Sequence, residues 1–238
     1  MEPNPYGLAY HDVEADAKAR LAERAFVTKV FGWMTAGLMI TAVIATYVAG
    51  NPALVERIFR SGVFVALIIA ELGLVLILSA AINKLSAPAA SAMFIIYSAL
   101  NGLTLSVIFL VYTTASLTST FFITSGTFGA MFLYGWTTKR DLTGLGSLCF
   151  MALIGLILAS IVNLFMASSG LYWLVTYAGV AIFVGLTAYD GQKIRLMGRA
   201  LGAEGEVARK AAVLGALALY LDFVNLFLLL LRIFGRRR

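Results

Sequence analysis

Seven runs of predominantly apolar residues, at about 30–49, 62–82, 89–111, 117–136, 145–166, 171–190 and 211–231, leave this chain few ways to fold. An α-helix rises about 1.5 Å per residue, so about twenty residues cross the roughly 30 Å of hydrocarbon in a bilayer. Inside hydrocarbon each backbone N–H and C=O has to be bonded within the protein, which a helix does alone. The connections carry helix-breaking or polar punctuation: Gly50-Asn51-Pro52, Lys84 to Pro88, Lys139-Arg140-Asp141 and Ser168-Ser169-Gly170. The predicted fold is all-α, a polytopic membrane protein of seven transmembrane helices. Composition agrees, with 61% hydrophobic and 13% charged residues where soluble domains carry about 25% charged.

Three segments follow: a polar N-terminal segment over 1–29, a transmembrane domain over 30–231 and a basic tail over 232–238. The first reads as a solvated tail or a short surface helix. It lacks the charged start, short apolar core and cleavage site of a signal peptide, so the first span is expected to stay in the product. With the N-terminus inside, twelve of the 18 basic residues fall on the cytoplasmic side and six outside, as short cytoplasmic loops require. The basic tail is the exception; a re-entrant last segment would move it inside. The split of basic residues points to a cytoplasmic N-terminus, and the short N-terminal segment without targeting signals to a bacterial inner membrane.

What is missing narrows the chemistry. His11, the only histidine, lies in the polar segment, so no span carries a histidine for zinc or general-base work. Cys149 is the only cysteine and reads as a small packing residue. The net charge of +6 is scattered over span ends and forms no basic domain, so nucleic acid is not an expected partner. Small residues four apart, Ser98/Gly102, Ser125/Gly129, Gly155/Ala159 and Ala211/Gly215, suit close helix packing.

The last run holds Asp222 among apolar neighbours. A carboxylate in hydrocarbon costs at least about 2.5 kcal/mol, so it should face protein or water. Stepping three and four residues places Ala211, Gly215, Ala218, Asp222, Asn225 and Leu229 on one helical stripe, with Leu214, Leu217, Leu221, Val224 and Leu228 elsewhere. Glu71 is the other deep acid, and Asp190 closes the sixth run near Lys193. No Lys or Arg sits deep in a span. Should Asp190 and Asp222 meet, two carboxylates in low dielectric would share a proton and titrate as a pair. Such a pair could gate by pH, or bind calcium through its oxygens. Asp222 lies about 16 Å into its run while Asp190 ends its own, so the two can meet only if the helices continue past these hydrophobic limits or the last one begins before Ala211.

Ala188-Tyr189-Asp190, Ala218 to Phe227 and Leu231-Arg232-Ile233-Phe234-Gly235 resemble the Bax inhibitor-1 family, or transmembrane BAX inhibitor motif proteins. The seven spans and the Glu in span two agree. The resemblance implies a bundle with the last helix central between two three-helix layers, and a pH-dependent calcium leak. It also implies that Asp190 and Asp222 form the sensing pair near the cytoplasmic side. The same two are the candidate calcium ligands, with Glu71, Asn225, Lys84 and Tyr189 as candidate supporting residues; Glu71 reads either as a packing hydrogen-bonder or as a pore acid. In the bacterial calcium-leak branch an arginine at the inner end of span two latches the pair. This chain has Ile82-Asn83-Lys84 there, and Lys84 would act as a point charge without the guanidinium fork.

The expected function is therefore a pH-sensitive calcium leak, not an enzyme and without a resident cofactor, with protons, calcium ions and membrane lipid as partners. One alternative is a non-transporting regulator that contacts membrane proteases, stress factors or other membrane proteins. A remote one is an intramembrane aspartyl protease, for which paired aspartates would suit, but Leu219-Tyr220-Leu221-Asp222 stands where Gly-x-Gly-Asp is needed.

Overall fold

A computed structural model describes residues 5–60 and 62–238, in eight helices and no strand among those residues. They are α1 (Pro5–Ala49), α2 (Pro52–Arg60), α3 (Val63–Ala80), α4 (Ala87–Val111), α5 (Thr114–Thr137), α6 (Thr143–Met166), α7 (Ser169–Leu201) and α8 (Gly205–Phe234). Residues 1–4 of the N-terminal segment lie outside the described residues, as does the side chain of His11. Among the described residues six helices are long and apolar enough to cross a membrane: α1, α3, α4, α6, α7 and α8. The fold is an all-α polytopic membrane protein.

The fourth predicted run, α5, has the length but is diluted by threonines and serines. Several bond backward along their own helix, Thr124 Oγ1 to the Thr120 carbonyl at 2.8 Å and Thr127 Oγ1 to the Ile123 carbonyl at 2.9 Å. Their hydroxyls therefore add little polarity to the helix surface.

Local sequence sets the helix ends. Ser86 caps α4, its Oγ accepting from the Ala89 N–H with Pro88 in the first turn, and Thr113 and Ser168 cap α5 and α7 the same way. At Gly202, φ is 69°, a left-handed conformation that ends α7 without a Cβ clash.

Two helices overrun the limits drawn from hydropathy. The helix that carries the first run does not begin at residue 30; α1 is one helix of 45 residues, and the polar sequence from Pro5 onward is its N-terminal extension rather than a loose tail. Glu23 anchors it: 6% exposed, its carboxylate accepts from Trp136 Nε1 at 2.6 Å and from Arg199 Nε at 2.5 Å. Lys29 Nζ also donates to the Ala203 carbonyl. Similarly, α7 continues about three turns past Asp190, and α8 starts before Ala211.

The last helix is central. It packs against α1, α4, α5 and α7, with α1, α3 and α4 on one side and α5, α6 and α7 on the other. Its burial is not confined to one stripe, because Leu217 and Val224, expected away from the small face, are also buried. Tyr220 is fully buried and bonds Thr41 Oγ1 at 2.6 Å, while its ring meets Phe94 and Tyr97 edge-on. Of the small pairs, Ser98/Gly102 does bring helices together, since a Cβ on Gly102 would sit 2.9 Å from the Thr41 carbonyl oxygen. Gly129 and Gly155 face open space.

The chain's end settles against the α4–α5 turn. Arg237 bridges Tyr112, with Thr113 N donating to the Arg236 carbonyl at 3.1 Å and Arg238 N to the Val111 carbonyl at 2.9 Å. α8 is thus continuous through the bundle and not re-entrant.

Candidate functional site

Glu71, Asp190 and Asp222 all line one cavity of about 990 Å³ between the α3–α4 and α6–α7 walls, backed by α8. It follows α8 from Ala218 to Arg232, about 20 Å at helical rise. Lys193 stands at the Asp190 end and Arg232 at the other.

The close approach of α5 and α7 positions Asp190. A Cβ on Gly135 would lie 1.9 Å from the Ala188 carbonyl oxygen, and one on Gly191 would lie 2.8 Å from the Phe132 carbonyl oxygen. On the α6 side, Gly146 lies against the Tyr189 ring, where a Cβ would come within 2.5 Å, and Gly185 lies against Cys149 Sγ. Four glycines thus clamp the turn that carries Asp190 between two helices. None of the four belongs to a small pair singled out by spacing.

Extension of α7 and α8 removes the depth conflict. Asp190 and Asp222 stand close enough for their carboxyls to interact directly, beside Thr187, whose hydroxyl donates to the Phe183 carbonyl at 2.7 Å. Asp190 is half-buried at the cavity wall, whereas Asp222 is 4% exposed. Asp222 Oδ2 is buried with no donor from the described residues. A buried acceptor without a donor is costly, so a proton held between the two carboxyls, or a cation from the cavity, is the chemistry that satisfies it.

The supporting residues divide. Glu71, half-buried, accepts from Thr104 Oγ1 at 2.9 Å and from Asn101 Nδ2 at 3.4 Å, which ties α3 to α4. Tyr189 lines the cavity, as does Asn225, whose Nδ2 bonds the Leu221 carbonyl of its own helix at 2.8 Å. Lys84 is exposed in the α3–α4 turn and does not line the cavity. The cation beside the pair is Lys193, which acts on Asp190 electrostatically and stands 5.9 Å from the Tyr189 ring centroid. Its signal was present in sequence, one helical turn beyond Asp190, but only if α7 continued there.

As a metal centre the pair is thin. Among the described residues no group of three or more His, Cys, Asp or Glu side chains converges, whereas a resident calcium takes about six to eight oxygens. Two carboxyls would leave most of the oxygens around such an ion to come from water.

Gln192, absent from the sequence-level candidates, fastens the site to the α5–α6 turn. Buried at 6% exposure, it donates from Nε2 to the Arg140 carbonyl at 2.7 Å and accepts at Oε1 from Leu142 N at 2.8 Å. Asp141 beside it accepts from the Thr143 hydroxyl and N–H, which hold its carboxyl below the usual carboxylate range. Gln192→Leu should leave the buried Leu142 N–H without a partner and destabilise the protein by about 1–3 kcal/mol. A thermal melt of the detergent-purified variant at the wild-type temperature would contradict this.

A family model described as "Inhibitor of apoptosis-promoting Bax1" matches residues 23–238. The chain is 56% identical over 221 residues to the "Inner membrane protein YbhL" of Escherichia coli K12, covering 92% of this chain and 94% of that one. It is 47% identical over 228 residues to an uncharacterized protein of Borreliella burgdorferi (95% and 98% covered). With an uncharacterized protein of Rickettsia prowazekii the identity is 41% over 215 residues (90% and 91% covered).

Proposed function

Because this chain belongs to the Bax inhibitor-1 family of membrane proteins, we propose that it is a pH-sensitive calcium leak of the bacterial inner membrane, with Asp190 and Asp222 as proton sensor and ion path. The observation that carries the reading is the meeting of two carboxyls, one with an unsatisfied oxygen, on the wall of a largely apolar cavity that Glu71 and Lys193 also line. Proton number on such a pair changes its charge, and charge decides how strongly a divalent ion is drawn into low dielectric. Glu71 supplies a further oxygen site along the same cavity, and Lys193 competes with the ion for Asp190. Calcium is cargo in this scheme, not a resident cofactor.

In this reading α5 is the seventh crossing and the N-terminus is cytoplasmic. The turns carrying Lys84, Lys139 and Arg140, together with the α7–α8 connection, then share the inner side, as the positive-inside tendency favours. The location takes support from the E. coli relative's name as an inner membrane protein.

The test is calcium flux into vesicles that contain the purified protein, measured against pH. Wild type is expected to pass calcium with a pH-dependent rate, and Asp190→Asn to flatten that dependence. Protein-dependent flux that is absent at every pH would overturn the leak and leave regulation by contact as the better account.

A further inference from the structure

We propose that the crevice between α1 and α5 and the arginine tail beside it together form a binding site for an anionic phospholipid. The crevice encloses about 360 Å³ between α1, α4, α5 and α8. Leu105 and Val224 form the wall it shares with the acid-lined cavity. Its lining is carbon except for the hydroxyls of Thr41, Thr114 and Thr118. Thr41 is already bonded to the Gly37 and Ser98 carbonyls and to Tyr220. Ala42 on α1 and Thr118 and Phe122 on α5 are exposed at its rim, so it opens sideways, toward hydrocarbon. A cavity of this kind is unfavourable for water and takes an apolar occupant; at this depth that occupant is an acyl chain.

The headgroup end is what makes the site selective. Ile108, Phe109, Leu117 and Phe227 line the crevice and also pack into the small cluster around Tyr112 and Leu231. Tyr112 is the residue that Arg237 bridges. Ser116 Oγ, one residue before Leu117, accepts from Arg236 N at 2.9 Å. Main-chain bonds thus hold Arg236, Arg237 and Arg238 at the mouth of the crevice while their side chains stay exposed. They sit where α4 and α8 end and α5 begins, the level of lipid phosphates. The α5 N-terminus adds its partial positive charge there, and arginine forks match phosphate oxygens.

The full chain in detergent is titrated with phosphatidylglycerol or phosphatidylcholine of identical acyl chains, and bound lipid is counted by native mass spectrometry. Phosphatidylglycerol is expected to bind about tenfold more tightly, each basic side chain at a membrane surface contributing severalfold. The triple variant Arg236→Gln, Arg237→Gln, Arg238→Gln keeps the main-chain bridge and should bring the two lipids to parity. Ala42→Phe, which fills the crevice from its exposed rim, should weaken both lipids with no loss of thermal stability. Equal binding of the two lipids by wild type, or a preference that survives the triple variant, overturns the site. Competition by glycerol phosphate alone as effective as by the whole lipid overturns the crevice's part in it.

Discussion

Asp222→Asn is expected to abolish most of the pH response of calcium flux while the protein folds normally. Asparagine matches aspartate in volume, and its amide can donate to Asp190 as a protonated carboxyl would. The variant therefore mimics the pair with one proton held permanently. A wild-type response of tenfold between mildly acidic and mildly alkaline pH should shrink to within about twofold, because the coupled titration has lost one of its sites. The double variant Asp190→Asn, Asp222→Asn mimics the fully protonated pair and should also be flat, at a different plateau. A wild-type pH profile in the single variant would separate the proton sensor from these carboxyls. Thermal melts in detergent distinguish lost function from lost fold, since removing the buried charge should leave stability equal or higher.

Gly135→Ala is expected to be the most damaging single-methyl change near the site. The added Cβ would lie 1.9 Å from the Ala188 carbonyl oxygen, a main-chain atom that cannot turn aside. Relief requires α5 and α7 to separate by more than an ångström, along a contact that Phe132 and Gly191 repeat one turn away. Overpacking of a fitted core costs up to about 3 kcal/mol even where side chains can adjust, and here backbone has to move. The expected result is a loss of about 3 kcal/mol or more, read as a lowered melting temperature, with altered flux because Asp190 is two residues from the displaced carbonyl. Gly129→Ala on the same helix, where a Cβ meets nothing within 4 Å, is the matched control and should melt like wild type. Equal melting of the two variants would mean that α5 and α7 do not cross in this register.

Hydropathy made the spans legible because the transfer of residues to hydrocarbon adds up along the chain, without reference to any neighbour. The same arithmetic hid helix continuity: α1 and α7 run on as helices into polar sequence, where Glu23 and Gln192 fasten them through buried hydrogen bonds to residues far away in the chain. Sequence spacing was a weak guide to close approach. Ser98/Gly102 and Ala211/Gly215 pack against α1, yet Gly155 and Gly129 face open space, and further tight contacts fall at Gly135, Gly146, Gly185 and Gly191. A glycine signals that a neighbour can come near, and only the neighbour's path decides whether it does.

From residues alone, the chain is a helical membrane protein with acids in costly positions near its end, because the price of a charge in hydrocarbon is a property of the residue and its depth. Which acids touch, and which cation stands beside them, belonged to the tertiary structure. Asp190 meets Asp222 because glycines let α7 seat deeply between α5 and α6 while α8 fills the centre. Lys193 replaces Lys84 as the nearby charge because α7 continues one turn further along the same cavity wall. Those outcomes depend on contact between surfaces distant in sequence, which no count along a single strand of residues contains.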